Sequence, residues 1–418
     1  MDNLTHSIIG LAAGELIDRC LPEEPNRERA QARHRLLLVA GALASNFPDI
    51  DLALMPFLSR PLGYLLEHRG HTHTLLFALP EALLLVALLW LLWPGARQVL
   101  RVSTAARTGL AITAGVGLLL HLGMDYLNSY GVHPFAPVDP RWLYGDTIYI
   151  IEPMFWVLLG VPLIMQIQRR GVRLGLLGVL AAILVSCTMA GFLLWQSLAL
   201  LAVAGAALGL LQGKWRHALV AGTVLSLAWI GVQAGASHQA RSLVASSLAQ
   251  QPGAGTMLDA AMTAFPANPL CWSFVSVEAD AASDSYRLRR GVLSLANGLV
   301  PTASCPVKLA GGAAPEYALG VAWLGTTQAS LADLRHLQQS NCHVDAWLRF
   351  ARMPSFDAGS ATDLRYGNLG AANFSTLDYA ARAGTPCPAW LPRWGQPRAD
   401  LLGVLPSTTT APAPENAP

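Results

Sequence analysis

Long apolar runs dominate the first part of the chain. Leu75 to Trp93 is broken only by Pro80 and Glu81, and a helix of that length crosses a hydrocarbon core of about 30 Å. Further candidate spans are Leu110 to Leu127, Pro153 to Ile167, Leu174 to Leu194, Leu198 to Leu211 and Ala218 to Ala236. Leu4 to Ile17 and Leu36 to Ala44 precede them. Each of these two is shorter than about 17 residues and reads as a short, tilted or re-entrant helix. After about Ser237 no spanning run recurs, and alternating stretches such as Trp272 to Val277 and Ser285 to Leu288 read as strands. The pattern predicts a mainly α fold. A polytopic helical membrane domain of about eight hydrophobic segments, the first two short, covers residues 1–236. A β-rich or α+β extracytoplasmic domain covers 237–406, and a Thr-, Ala- and Pro-rich tail, disordered by composition, covers 407–418.

Composition sharpens the class. Hydrophobic residues make up 53% of the 418 residues and charged residues 13%, against about 25% charged in soluble domains. Intrinsic disorder is excluded and an ordinary cytosolic enzyme disfavoured. A net charge of +2 gives no electrostatic reason to expect a nucleic-acid partner. The basic residues of the first half cluster in Asp18 to Arg35, Arg97 to Arg107, Arg169 to Arg173 and Lys214 to His217. Short Arg/Lys-rich loops stay in the cytoplasm. Eight crossings satisfy all four, with the N-terminus and everything after Ala236 outside. The N-terminal residues lack the basic n-region of a signal peptide, so retention is expected. Cys271, Cys305, Cys342 and Cys387 then lie in an oxidising compartment and suggest two disulfides with three possible pairings, while Cys20 and Cys187 are expected to be free. There is no CxxC pair, which disfavours a thiolate zinc ribbon.

Four motifs in the first 150 residues carry the chemistry: Thr5-His6, Pro48-Asp49-Ile50-Asp51, His68-Arg69-Gly70-His71-Thr72-His73 and His121-Leu122-Gly123-Met124-Asp125. Asp146, in Tyr144-Gly145-Asp146, is a further candidate. Alone, each has a plain structural use. Asp49 can cap a helix, and His121 and Asp125, four apart on one helix face, can form a buried pair. Together the topology puts all of them on the outer face, where ionisable groups at membrane depth mark a site. A mixed set of imidazoles and carboxylates suits Zn²⁺ or another divalent transition metal, in one or two ions, more than Mg²⁺. His34, His217 and His238 stand alone beside basic loops or linkers and read as structural; His336 and His343 belong to the outer domain without a ligand partner, and His133 is ambiguous.

The stretches MDNLTHSIIG, FPDID, HRGHTHTLLFAL and HLGMDYLNSYG, in that order, resemble the YdjM-like family of bacterial inner-membrane proteins, described as membrane-bound metal-dependent hydrolases. The resemblance covers about residues 1–170. It implies that His6, Asp49, Asp51, His68, His73, His121 and Asp125 occupy metal or catalytic positions. His71 departs from the family, in which an aromatic residue is usual there, and Glu152 stands where Asp is expected. The resulting expectation is metal-assisted hydrolysis, by metal-activated water, of a phosphoester or lipid-linked substrate at the outer face of the inner membrane, with membrane lipids and a small-molecule or lipid-linked substrate as partners. Asp51 acts as general base or bridging ligand and Arg69 neutralises an anionic substrate group. A non-enzymatic anchor with a structural metal, or a transporter, are the alternatives. No HExxH occurs, which disfavours a zincin protease.

Overall fold

The structure, a computed structural model, describes residues 1–214, 217–251, 255–280, 283–306, 310, 315–318, 320–367 and 371–403; the tail 407–418 lies outside them. The N-terminal half is helical. Asp2 opens α1 (Asn3–Cys20) by accepting from the Thr5 amide, and Asn26 opens α2 (Arg27–Ala44) by accepting from the Arg29 amide. Each cap satisfies an amide that the first turn leaves free. The two helices pack backbone to backbone. A Cβ on Gly10 or Gly14 of α1, or on Gly41 of α2, would run into the main chain of the other helix. Small residues permit such approach inside a membrane, where lipid tails remove the hydrophobic incentive to associate.

Beyond α2 the chain bends by 46° into a 3₁₀ segment, Phe47–Phe57, with Pro48 in its first turn. A short helix α3 (Leu62–Glu67) and a 3₁₀ turn His71–His73 lead into α4 (Leu75–Leu92), whose N-cap Thr74 accepts from the Phe77 amide. α5 (Pro94–Val102) and α6 (Thr104–Tyr126) follow, the latter capped by Ser103.

Fewer helices can span than the hydropathy pattern suggested. Among the described residues four are long and apolar enough: α4, α6, α9 (Arg170–Met189) and α11 (Ala218–Ala249), with a fifth if α2 and the 3₁₀ segment count as one bent span. The eight expected crossings are corrected accordingly. The run Pro153 to Ile167 breaks at Leu159 into α7 (Pro153–Leu158) and α8 (Gly160–Met165), six residues each and so about 9 Å apiece. All of α7 is buried in protein. The apolar part of α10 (Trp195–Lys214) is likewise among the shorter helices. In α1, Glu15, Asp18 and Arg19 dilute the run, and α2 begins with charged turns.

Three of the four Arg-rich connections gather at one end; Arg216 of the fourth lies outside the described residues. Arg33 pairs with Asp18 at 2.7 Å and with Glu24 at 3.4 Å, Glu24 also accepts from the Ser103 hydroxyl, and Arg19 reaches Gln166 at 3.0 Å. His34, beside them, pairs with Asp18 at 3.1 Å.

The C-terminal part is β-rich, as expected. An antiparallel five-stranded sheet has the order β1-β2-β3-β5-β4, formed by Thr256–Phe265, Asn268–Asp280, Ser285–Ser294, Val321–Ser330 and Glu316–Ala318 respectively. Helices α12 (Leu331–Ser340) and α13 (Cys342–Leu348) follow, then a small sheet of β6 (Pro354–Asp357), β7 (Ser360–Asp363) and β8 (Leu377–Asp378), and α14 (Ala399–Leu402). Two disulfides form, Cys271–Cys305 and Cys342–Cys387, and Cys20 and Cys187 are free. This domain sits on the end of the helical part opposite the Arg-rich connections. Trp394 Nε1 donates to the Leu66 carbonyl at 2.8 Å and Trp142 Nε1 to the Arg349 carbonyl at 2.8 Å.

Candidate metal centre

Five elements converge beneath the C-terminal domain. α1 brings His6, the 3₁₀ segment Asp49 and Asp51, the loop after α3 His68 and Arg69, the turn before α4 His73, and the last turns of α6 His121 and Asp125. Asp49, His73, His121 and Asp125 offer ligand atoms within 4.8 Å of one another and could hold a metal ion; so could Asp49, Asp51 and His68. Asp49 belongs to both groups.

The imidazoles are oriented by what their other nitrogens meet. His121 Nδ1 donates to the Ser45 carbonyl at 2.8 Å, and His73 Nδ1 lies 3.0 Å from the Thr72 hydroxyl. Both rings therefore turn Nε2 inward, as metal-binding histidines do when a second partner fixes the ring. The two Nε2 atoms face each other at 3.0 Å. Asp125 Oδ2 stands 3.3 Å from His73 Nε2 and 3.4 Å from His121 Nε2, and Asp49 Oδ1 stands 3.5 and 3.7 Å from the same two atoms. In the second group His68 Nδ1 meets Asp51 Oδ1 at 3.2 Å, while Asp51 Oδ2 accepts from the Arg69 amide and the Thr72 hydroxyl, both at 3.1 Å. Asn3 donates to Asp49 Oδ2 at 3.0 Å.

Electrostatics favour a cation here. Burial lowers the affinity of His73 for a proton, but its hydrogen bonds to Asp125 and Asp49 outweigh burial and push the imidazole up to about 9. Burial together with Asp51 pushes Glu67 up to about 7. Three carboxylates thus demand positive charge in a buried space, and a metal ion answers the same demand by displacing protons from its ligands.

The remaining expected residues are placed differently. His6 is buried and stacks on His121 with ring centroids 4.0 Å apart, its Nε2 3.4 Å from Asp125 Oδ1; neither of its ring nitrogens has a hydrogen-bond partner. It borders the first group without belonging to it. Arg69 is buried, and its guanidinium holds Asp125 at 2.9 Å and donates to Asn128 Oδ1 at 3.2 Å. It braces a candidate ligand. The Met1 amine also contacts Asp125. His71 points elsewhere, with its ring 5.0 Å from Trp394 and 5.6 Å from Trp390. Asp146 stands apart in a cluster with Arg352 at 2.9 Å and Arg241 at 2.7 Å. His133 lies between Trp142 and Trp394, with centroids 4.5 and 3.9 Å away. Sequence reasoning missed Thr72, Asn3 and Ser45, which orient candidate ligands; the first lies inside the HRGHTH motif, whereas the Ser45 contact is made by backbone and leaves no side-chain signal.

The family model described as YdjM inner membrane protein matches residues 1–194. Uncharacterized protein YfhP of Bacillus subtilis (strain 168) is 26% identical over 159 residues, 38% of this chain and 43% of that relative's length. The chain therefore spans less than half of the relative it resembles. No solved structure matches. The part of the chain similar to the YdjM inner membrane protein family, residues 1–194, contains every member of both ligand groups.

Proposed function

We propose that the protein is a membrane-bound, metal-dependent hydrolase with a two-cation centre, zinc the best fit, at the outer face of the bacterial inner membrane. The observation that carries this reading is the spacing of the first group. Four ligands about 2.05 Å from a tetrahedral Zn²⁺ lie about 3.3 Å from each other, and the distances from His73 and His121 to one another and to the two carboxylates run from 3.0 to 3.7 Å. Asp49, shared by both groups, would be the residue that the two ions hold in common. Two imidazoles and two carboxylates form a donor set suited to a transition metal, and buried His6, whose ring nitrogens have no hydrogen-bond partner, borders it.

When bound, such ions polarise a scissile phosphoryl or acyl group and acidify water at neutral pH. The chain's own residues supply the rest. Arg69 fixes Asp125 and balances part of its charge, and Thr72 and the Arg69 amide hold Asp51 Oδ2, so that Asp51 Oδ1, beside His68, would serve the second cation as a ligand or accept a proton from water in its place. A phosphoester, free or lipid-linked, suits a site of this depth and charge. The outward orientation is supported by the Arg-rich connections lying at the opposite end, as the positive-inside rule requires, and by two disulfides in the domain covering the centre.

The test is turnover of a panel of soluble phosphoesters and short-chain phospholipids by the detergent-solubilised protein. Hydrolysis that a chelator abolishes, zinc restores, and Asp51→Asn reduces by roughly a hundredfold or more is expected. A zinc-loaded protein that turns over no member of the panel would favour a structural metal in a membrane anchor.

A further inference from the structure

The helices that carry the candidate centre hold it below the boundary of a bilayer. At about 1.5 Å per residue, His6 stands about 18 Å from Asp18 along α1, Ser45 about 15 Å from Arg35 along α2, and His121 about 21 Å from Arg107 along α6. Asp18, Arg35 and Arg107 belong to the charged end of the helical part, which hydrocarbon excludes. Measured from that end, a hydrocarbon core of about 30 Å extends about 10 Å beyond the centre. Helix tilt only lowers the centre further.

The surface above that level is apolar, where a collar facing water would be polar. α4 is a candidate span that leaves Leu76, Leu79 and Leu83 exposed, and the Leu75 amide ties its start to the Pro134 carbonyl at 2.9 Å. The apolar face continues from there. Val138, in the loop after Pro134, is 93% exposed. Trp390 of the C-terminal domain is 58% exposed, and its ring lies 5.6 Å from His71, which is 5.6 Å from Phe77 of α4. On the 3₁₀ segment Leu54 is 61% and Phe57 85% exposed. That segment climbs from the centre toward α3, whose Leu62, Leu65 and Leu66 pack in the core of the C-terminal domain. Each of the three tips is followed three positions later by an exposed arginine: Arg60 after Phe57, Arg141 after Val138 and Arg393 after Trp390. Arg141 also pairs with Asp139 at 2.6 Å. Exposed apolar side chains with Arg just beyond them suit a seat at the boundary of hydrocarbon and headgroups. The centre opens on a flank of the same kind: Asp49 keeps 10% of its side chain exposed while His73 and His121 are enclosed, and its neighbours Asn3, Leu4 and Ile50 are exposed.

We infer that the leaflet beneath the C-terminal domain surrounds the candidate centre and reaches Phe57, Val138 and Trp390, and that the gap at Asp49, between α1 and the 3₁₀ segment, opens sideways to lipid. Bilayer lipid is the occupant of this surface because the surface continues the exposed side of a span and ends in arginines. The substrate of the centre is then a lipid-linked phosphoester. That consequence rests on the hydrolase reading; the immersion does not.

Spin-label depth measurements test the immersion. Leu4→Cys, Ile50→Cys, Phe57→Cys and Val138→Cys are each labelled with a nitroxide in the full-length protein lacking its free thiols (Cys20→Ser, Cys187→Ser), in nanodiscs of phosphatidylethanolamine and phosphatidylglycerol. Exposed Ala332, on α12, lies beside the β2–β3 turn at the end of β2 away from Glu152, and Ala332→Cys is the reference in water. Molecular oxygen partitions into hydrocarbon, and a polar nickel chelate stays in water. Relaxation by oxygen should exceed relaxation by the chelate at all four labels, and more so at Ile50→Cys than at Phe57→Cys; the order should reverse at Ala332→Cys. Leu54→Cys replaces Ile50→Cys if the latter fails to fold. Any of the four labels that the chelate reaches as readily as it reaches Ala332→Cys overturns the inference. So do labels at Phe57 and Val138 shielded from both reagents, which indicate a protein cover. Chelate-exposed labels on a protein that hydrolyses phosphoesters would refute the immersion alone. Labels in lipid on a zinc-loaded protein that hydrolyses nothing would refute the hydrolase reading and leave the immersion standing.

Discussion

His73 and His71 lie two positions apart yet only one reaches the candidate metal centre, and the 3₁₀ turn that holds both explains it. At about three residues per turn, positions 71 and 73 leave the backbone in different directions. His73 enters the cluster, and His71 packs on Trp390 and Trp394 of the C-terminal domain. His71→Ala should therefore leave the metal content unaltered, whereas His68→Ala should remove one of two metal equivalents, as read by elemental analysis. Loss of metal in His71→Ala would refute the assignment of ligands. At this scale most of the cluster was legible in the sequence, because HxxxD on a helix and PDID after a turn place their side chains by local geometry. Asp146 was not. Its partner Arg352 lies 206 positions away, and no local spacing encodes that pairing. The role of Arg69 was equally hidden: a guanidinium beside three histidines reads as a substrate clamp, and only the fold shows it spent on Asp125.

At the scale of elements, the glycines that bring α1 onto α2 set the position of His6 against His121. Gly41→Ala would force a methyl group against the Gly10 carbonyl, and overpacking of this kind costs about 1–3 kcal/mol. The expected outcome is a lower melting temperature and reduced metal retention. Gly115→Ala, at a position with nothing near the added carbon, should change neither. Equal melting temperatures for the two variants would show that the helix pair does not govern the centre. The span count was the part of the fold that hydropathy misjudged. Apolarity alone cannot separate a helix facing lipid from one buried in protein, and α7, with all six residues buried, is apolar for the second reason. The strands of the C-terminal sheet and the four disulfide cysteines were readable from alternation and compartment; which cysteines pair was fixed only by β2 and the turn at Thr302–Ser304 meeting, and by α13 meeting the segment after β8.

Across the whole molecule, a buried ionic cluster ties the two parts together. Arg352 binds Asp146 of the helical part at 2.9 Å and Asp259 of β1 at 2.8 Å, and Arg241 of α11 bridges the same two carboxylates at 2.7 and 3.1 Å. Removing one partner of a buried pair costs about 3–5 kcal/mol, so Asp146→Ala should loosen the C-terminal domain and expose the junction to protease; an unchanged digestion pattern would argue against this anchor. Burial raises the affinity of Asp259 for a proton, but Arg352, Arg398 and Arg241 outweigh it and hold the carboxyl below its ordinary range. A carboxyl depressed in the folded state stabilises fully above its unfolded value of about 3.9 and progressively less as pH falls below it. Protease resistance of the junction should hold at pH 5 and decline below about pH 4. The proposed centre requires residues far apart in the chain to meet around two cations that share Asp49. Elemental analysis of the purified protein tests it most directly: about two divalent metal ions per chain are expected in the unaltered protein and close to none in Asp49→Ala, with membrane insertion intact. A protein that takes up no metal on dialysis against zinc, or an Asp49→Ala variant that keeps its full complement, would rule out the two-cation centre.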